Sequence, residues 1–246
     1  MLEPLERFSH VANFTDYMAI VERLLLADYP APVDVLDMPA GNGILSERLR
    51  GHGHRVTRAD INGQHPDYVF ANMEKALPFE RGQFDAVTCL EGIEHVIEPA
   101  SLSAELSRIL RPGGRLYLSL PNVQSMYSRL SFLLTGTCYQ FAPEQTTHPR
   151  GEMVDRGHIN PLGLPQLAYL FAEHGLVIER ATGDKVKKRV LMPLYLPLWG
   201  LSFLATRRRR QPLGAHHQAP LFQLMNSYRP LFSRSIVIVF RKQTLA

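Results

Sequence analysis

Three sets of residues in this chain have types and spacings that could do chemistry. The first lies in "VDVLDMPAGNGILSERL", residues 33–49. It reads as a buried strand closed by Asp37, a turn carrying Gly41 and Gly43, and a helix starting near Ile44. Glycines permit positive φ and close backbone approach, and a helix start presents unpaired N–H groups. Such a turn can cradle a nucleotide-like ligand, and it is also the shape of an ordinary strand-to-helix connection. Pro39 stands where such loops usually carry their first glycine. It has no N–H to donate and a φ fixed near about −65°. The second is Asp60, which closes "RVTRAD" about twenty residues past the loop. An acid there can accept both hydroxyls of a ribose, or can cap a helix or turn. The third is the histidine set His95, His148 and His158. An imidazole, with an unperturbed pKa near about 6.5, can take the proton from an attacking hydroxyl. Each of the three is as readily a loop or structural histidine.

The elements that must position these residues alternate between strand and helix. "VDVLDM", "RVTRAD", "DYVFAN", "FDAVTCL" and "RLYLSL" read as five strands. "ILSERLRGHG" and "ASLSAELSRILRPGG" read as helices that stop at glycine. "PLGLPQLAYLFAEHG" is a further helix, "LVIERATG" a sixth strand and "SIVIVFRK" a seventh. Short, nearly continuous apolar runs separated by helices predict an α/β fold, a mostly parallel sheet covered on both faces. In such sheets ligands sit at the carboxyl ends of the strands, where Asp37, Asp60 and the segments "ANME" and "CLEGIEHV" fall.

The order and spacing of these segments resemble those of the class I S-adenosylmethionine-dependent methyltransferases. The resemblance is closest to the branch holding ubiquinone-pathway O-methyltransferases and methyltransferases of bacterial surface glycans. It covers residues 33–182 and the last strand, and implies a Rossmann-like seven-stranded sheet with an antiparallel last strand. It assigns "DMPAGNG" (Asp37, Pro39, Ala40, Gly41 and Gly43) to the methionine part of S-adenosylmethionine. Asp37 would face the amino group and Asp60 would hold the ribose. Asn72 and Met73 match the adenine segment, where the family often has Asp instead of Asn72. Glu91 lies beside the methionine end, with His95 following. His158 precedes a helix that borders the substrate side in relatives. For a hydroxyl acceptor, His95 and His158 are the candidate bases, with His148 behind them. The resemblance favours a sugar or lipid-linked glycan acceptor, then a quinone-precursor phenol. An RNA acceptor, or a non-catalytic binding protein on the same fold, are the remaining alternatives. No His, Asp and Glu stand at the compact spacing of a metal site, so no metal is expected.

The expected organisation has an N-terminal helical segment over 1–32, the cofactor-binding core over 33–182, and a substrate lid within it over 122–160. An insertion over 183–233 and a final strand over 234–246 complete it. The chain has 246 residues, 45% of them hydrophobic, enough for one full core. Its two cysteines, Cys89 and Cys138, offer no disulfide framework. The N-terminus lacks a basic region followed by an apolar core, which predicts a cytoplasmic protein. Charge is unevenly placed. Lys185 to Ala246 holds twelve Lys or Arg and no acid, although the whole chain has 23 acids. The insertion includes "VKKRVLMPLYLPLWGLSFLATRRRR". Its apolar core, Val190–Ala205, is sixteen residues, short of the roughly 20 that span a bilayer. Basic flanks over 185–210 point to an anionic membrane surface, with Tyr195 and Trp199 expected at headgroup level. A buried helix pair, a dimer patch or a nucleic acid contact are the other readings. The four-arginine run suits phosphate, yet no aromatic stacking platform accompanies it.

Overall fold

The computed structural model describes residues 13–61, 66–141, 157–186, 189–207 and 221–244. His148, most of the polar half of the expected lid and Arg208–Arg210 lie outside them. Seven strands form one sheet in the order β3-β2-β1-β4-β5-β7-β6. They are β1 (Asp34–Asp37), β2 (Arg55–Asp60), β3 (Val69–Phe70), β4 (Phe84–Leu90), β5 (Leu110–Pro121), β6 (Leu176–Gly183) and β7 (Ser235–Lys242). β1 to β5 pair in parallel. β7 lies between β5 and β6 and runs antiparallel to both. The chain moves outward one way through β1, β2 and β3, then outward the other way through β4 and β5. The switch point therefore falls between β1 and β4, beside the glycine turn.

The alternation of side chains across each strand builds two cores. Leu36, Val87, Leu116 and Leu118 face α3 (Pro99–Ile109) and α5 (Leu164–Ala172), packing with Leu102, Leu106, Leu167 and Phe171. Val35, Ala86 and Tyr117 face α1 (Asp16–Asp28) and α2 (Ile44–Gly51), packing with Val21, Leu25, Leu45 and Leu49. Both faces are covered, which is why the strands read as continuous apolar runs. Cys89 is buried, and burial raises its thiol pKa far above the ordinary value.

"RPGG" does not serve as a helix stop here. α3 ends at Ile109 and the chain enters β5 directly at Leu110. The glycines instead allow an irregularity in the β4–β5 register between Phe84 and Ala86. Gly113 has φ 79°, and a Cβ on Gly114 would lie 2.7 Å from the Asp85 carbonyl oxygen.

The expected helix in the lid is present as α4 (Met126–Thr135). The insertion forms α6 (Met192–Arg207), which runs through Pro197, then α7 (Leu221–Met225) and α8 (Tyr228–Phe232). Its two ends are zipped together beyond β6 and β7. Asp184 N–H donates to the Ser235 carbonyl, Arg234 N–H donates to the Lys185 carbonyl, and Val186 bridges Ser233. The buried Asp184 carboxylate also accepts the backbone N–H groups of Arg234 and Ser235, each at 2.9 Å. Tyr195 and Trp199 depart from the sequence expectation. Tyr195 is 1% exposed, packed with Met126, Leu231 and Phe232. The Trp199 indole N–H donates to the Asn226 carbonyl at 3.0 Å. Both rings anchor α6 to the protein, because that is where their apolar bodies find cover.

Asp184→Ala would remove the carboxylate that two backbone N–H groups share at this neck, leaving Arg234 N–H with the Lys185 carbonyl alone. It is expected to cost about 1–3 kcal/mol in urea unfolding, with no change in far-UV circular dichroism.

Candidate active site

The turn after β1 is held by its own polar groups. The Asp37 carboxylate is buried, and accepts the Thr88 hydroxyl on Oδ1 and the Ser46 hydroxyl on Oδ2, both at 2.6 Å. Burial raises its pKa, and these two hydrogen bonds oppose that. Asp37 thus ties β1 to β4 and to the first turn of α2, and its oxygens are turned to these two hydroxyls. Ala40 N–H donates to the Ala59 carbonyl, and Gly41 N–H donates to Asp60 Oδ2, both at 2.9 Å. Positive φ falls on Gly41 (53°) and Gly43 (73°), so none is asked of Pro39. Pro39 follows a cis peptide bond.

Pro39 instead fills space. A Cβ on Gly92 would lie 2.8 Å from Pro39 Cδ and 3.3 Å from Met73 Cε. Three strand ends therefore converge at one missing side chain: "DMPAGNG" after β1, "ANME" after β3 and "CLEGIEHV" after β4. Asn72 shapes its own turn, accepting the Glu74 N–H on Oδ1 at 2.9 Å.

Glu91 leaves the end of β4 with φ 49°. Its N–H donates to the Ser119 carbonyl, and its Oε1 accepts the Ser119 hydroxyl at 3.1 Å. Burial pushes its pKa up to about 7, opposed by the Ser119 hydrogen bond and the Arg234 charge, and reinforced by the Asp184 charge. Tyr17, from α1, is pushed up to about 12, first by burial and then by the Glu91 charge. Sequence reading missed Tyr17, Ser119, Asp184 and Arg234. They arrive from α1, β5 and the two sides of the β6–β7 neck, and carry no local motif.

His95 and His158 do come together. Their ring centroids are 4.9 Å apart at 77°, edge to face. His158 Nδ1 lies 2.9 Å from the Gln140 carbonyl. A carbonyl only accepts, so Nδ1 carries a proton, and in the neutral ring the lone pair is on Nε2. Phe141 lies against the same ring, with centroids 5.4 Å apart. The backbone holds this segment in place, since the N–H groups of Ile159 and Asn160 both donate to the Glu94 carbonyl. The ligating atoms of buried Glu94, His95 and His158 lie within 4.8 Å of one another. Such a trio can move a proton or hold a divalent cation. Linear spacing hid it, because His158 is remote from "EH" in the chain.

Comparison with known proteins gives a consistent family. Residues 9–181 match the model of a methyltransferase domain. A ubiquinone biosynthesis O-methyltransferase of Thiobacillus denitrificans is 32% identical over 65% of this chain and 73% of its own. Another, of Aromatoleum aromaticum, is 38% identical over 36% of this chain, a match that spans only 44% of that relative. The crystal structure of an S-adenosylmethionine-dependent methyltransferase from Archaeoglobus fulgidus superposes with a TM-score of 0.54. That match covers 92% of this chain and 94% of the other at 15% identity, and shows the shared fold.

Two outcomes follow from this geometry. Gly92→Ala should lower stability by about 1–3 kcal/mol, through overpacking against the proline ring. Pro39→Gly in the same chain should restore part of that loss, giving a coupling energy of about 0.5 kcal/mol or more in a denaturation double-mutant cycle. Glu91 binds its proton more tightly folded (about 7) than at the ordinary 4.5. Its contribution is therefore full below pH 4.5 and is lost as pH rises to about 7. Glu91→Gln should accordingly gain stability over that window, on the order of 2 kcal/mol by neutral pH, in thermal or urea unfolding.

Proposed function

This chain belongs to the class I S-adenosylmethionine-dependent methyltransferases, and we propose that it transfers the methyl group to a hydroxyl on a lipid-carried acceptor. The residues at the switch point suit the cofactor. Gly41 and Gly43 supply a close backbone surface, with Asp60 beside it for the ribose hydroxyls. Asn72 and Met73 border the adenine side. Asp37 holds the loop from behind, through the Thr88 and Ser46 hydroxyls, and would face the amino group through that loop. Gly92 lacks a side chain where Pro39 and Met73 line the floor. When bound, the cofactor supplies a methyl group already activated by its sulfonium charge. The chain must then align the acceptor, exclude water and receive a proton.

The observation that carries the reading is the His95–His158 pair. Its Gln140 tether directs the lone pair of the neutral His158 ring to Nε2, the form that a general base needs. Glu91, with a pKa of about 7, is a second proton acceptor at the same strand end. A carboxylate of this basicity suits a phenol, whose pKa near about 10 lies within reach. A quinone-precursor phenol also agrees with the names of the relatives. A sugar hydroxyl of a lipid-linked glycan is the second reading, favoured by the basic apolar insertion, which suits an acceptor presented at a membrane.

Methyl release from labelled cofactor, measured against quinone-precursor phenols, lipid-linked glycans and RNA, tests the acceptor. Turnover on RNA alone would discard both readings. His158→Gln should lower kcat on the true acceptor by about 10²–10⁴-fold. S-adenosylhomocysteine affinity in calorimetry should stay within threefold or so, about 0.7 kcal/mol. An unchanged kcat would remove His158 from the reaction.

A further inference from the structure

We propose that the outward face of α6 docks on an anionic lipid bilayer and lies in the plane of its headgroups. The proposal deepens the reading of a lipid-carried acceptor, but its surface stands on separate observations. α6 spends one stripe on the protein. Met192, Tyr195 and Trp199 pack inward, and the Ser202 hydroxyl donates to Asn226 Oδ1 at 2.9 Å. Around the rest of the helix, Leu194, Leu196, Leu198, Leu201, Phe203 and Leu204 are all exposed, Leu201 by 63% and Leu204 by 60%. No charged residue occurs from Val190 to Ala205. A surface helix ordinarily turns charged and polar groups outward, and a contiguous apolar face of this extent marks a surface with a partner.

The charges flanking the helix identify that partner. In the sequence, Lys187, Lys188 and Arg189 precede it and Arg207 to Arg210 follow it, while Lys185 is paired with Asp16 at 2.9 Å. No Asp or Glu occurs from Lys185 to the end of the chain. A second copy of this region would bring further cations and no counter-charge. An anionic bilayer supplies both requirements, acidic headgroups for the flanks and an apolar layer beneath for the leucines. Among the described residues no helix is long and apolar enough to cross a membrane. The sixteen residues of α6 rise about 24 Å, against a hydrocarbon core of about 30 Å. With both ends basic, each end belongs on the same side.

Trp199 is the single tryptophan of the chain and sits on α6, so it reports the helix directly. The full chain would be floated with phosphatidylcholine vesicles, with and without phosphatidylglycerol, at moderate salt. The lipids would be brominated either near the headgroup or near the chain terminus. Expected are at least tenfold tighter binding to the phosphatidylglycerol vesicles and stronger Trp199 quenching by the shallow bromines. Leu198→Glu with Leu201→Glu should weaken that binding at least tenfold while S-adenosylhomocysteine binding is retained. No flotation with anionic vesicles, or equal flotation of the double variant, would overturn the proposal. So would quenching that is equal from deep and shallow bromines. A dimer in light scattering that the double variant dissolves, with no vesicle binding, would assign the face to a second copy instead. None of these readouts uses turnover, so a failed acceptor assay and a failed docking assay remain distinguishable.

Discussion

The site depends on one buried carboxylate. Asp37 stands at the switch point of the sheet and accepts hydroxyls from Thr88 on β4 and Ser46 on α2. A lone carboxylate in that position would be costly to bury, and two short hydrogen bonds are what make it tolerable. Through them, the glycine turn is fastened to the strand on its far side and to the helix that follows. The positions of Gly41, Gly43 and Asp60 are set relative to β4, and hence relative to Glu91 and Gly92. The glycine turn and the Glu91 end of β4 are built on the same fastening.

What the sequence makes legible follows from how local the signal is. β2, β4, β6 and β7 coincide with the segments read as strands, most plainly β4 and β7, because strands covered on both faces are nearly apolar throughout. The turn after β1 is legible because its glycines sit between a strand and a helix. Its departure, Pro39, is not interpretable alone. Its ring occupies the space that Gly92 leaves, and Gly92 is remote in the chain. The same holds for His158, which meets Glu94 and His95 only through the fold. Tyr17, Ser119, Asp184 and Arg234 surround Glu91 from elements with no shared motif. Strand ends predict where a site lies, and tertiary crossings decide who else joins it.

The insertion shows the opposite error. Tyr195 and Trp199 are residue types found at membrane interfaces, and composition placed them there. The helix is anchored to the protein by those very rings, leaving its leucines outward. Residue type states what a side chain tolerates on each side. Which side it takes is decided by the deepest available cover, here Met126, Leu231 and Phe232.

The zipped neck at Asp184 and Ser235 also bears on how this chain is partitioned. The excursion between β6 and β7 leaves and re-enters at neighbouring points, with Val186 bridged to Ser233. The sheet beneath therefore has the same ladder whether a short turn or a long segment closes the gap, and a longer closure adds little entropic cost. The excursion is a cassette on a common catalytic chassis. Its length and composition can be exchanged without moving a strand, so the surface a protein of this architecture addresses can change while its chemistry stays in place.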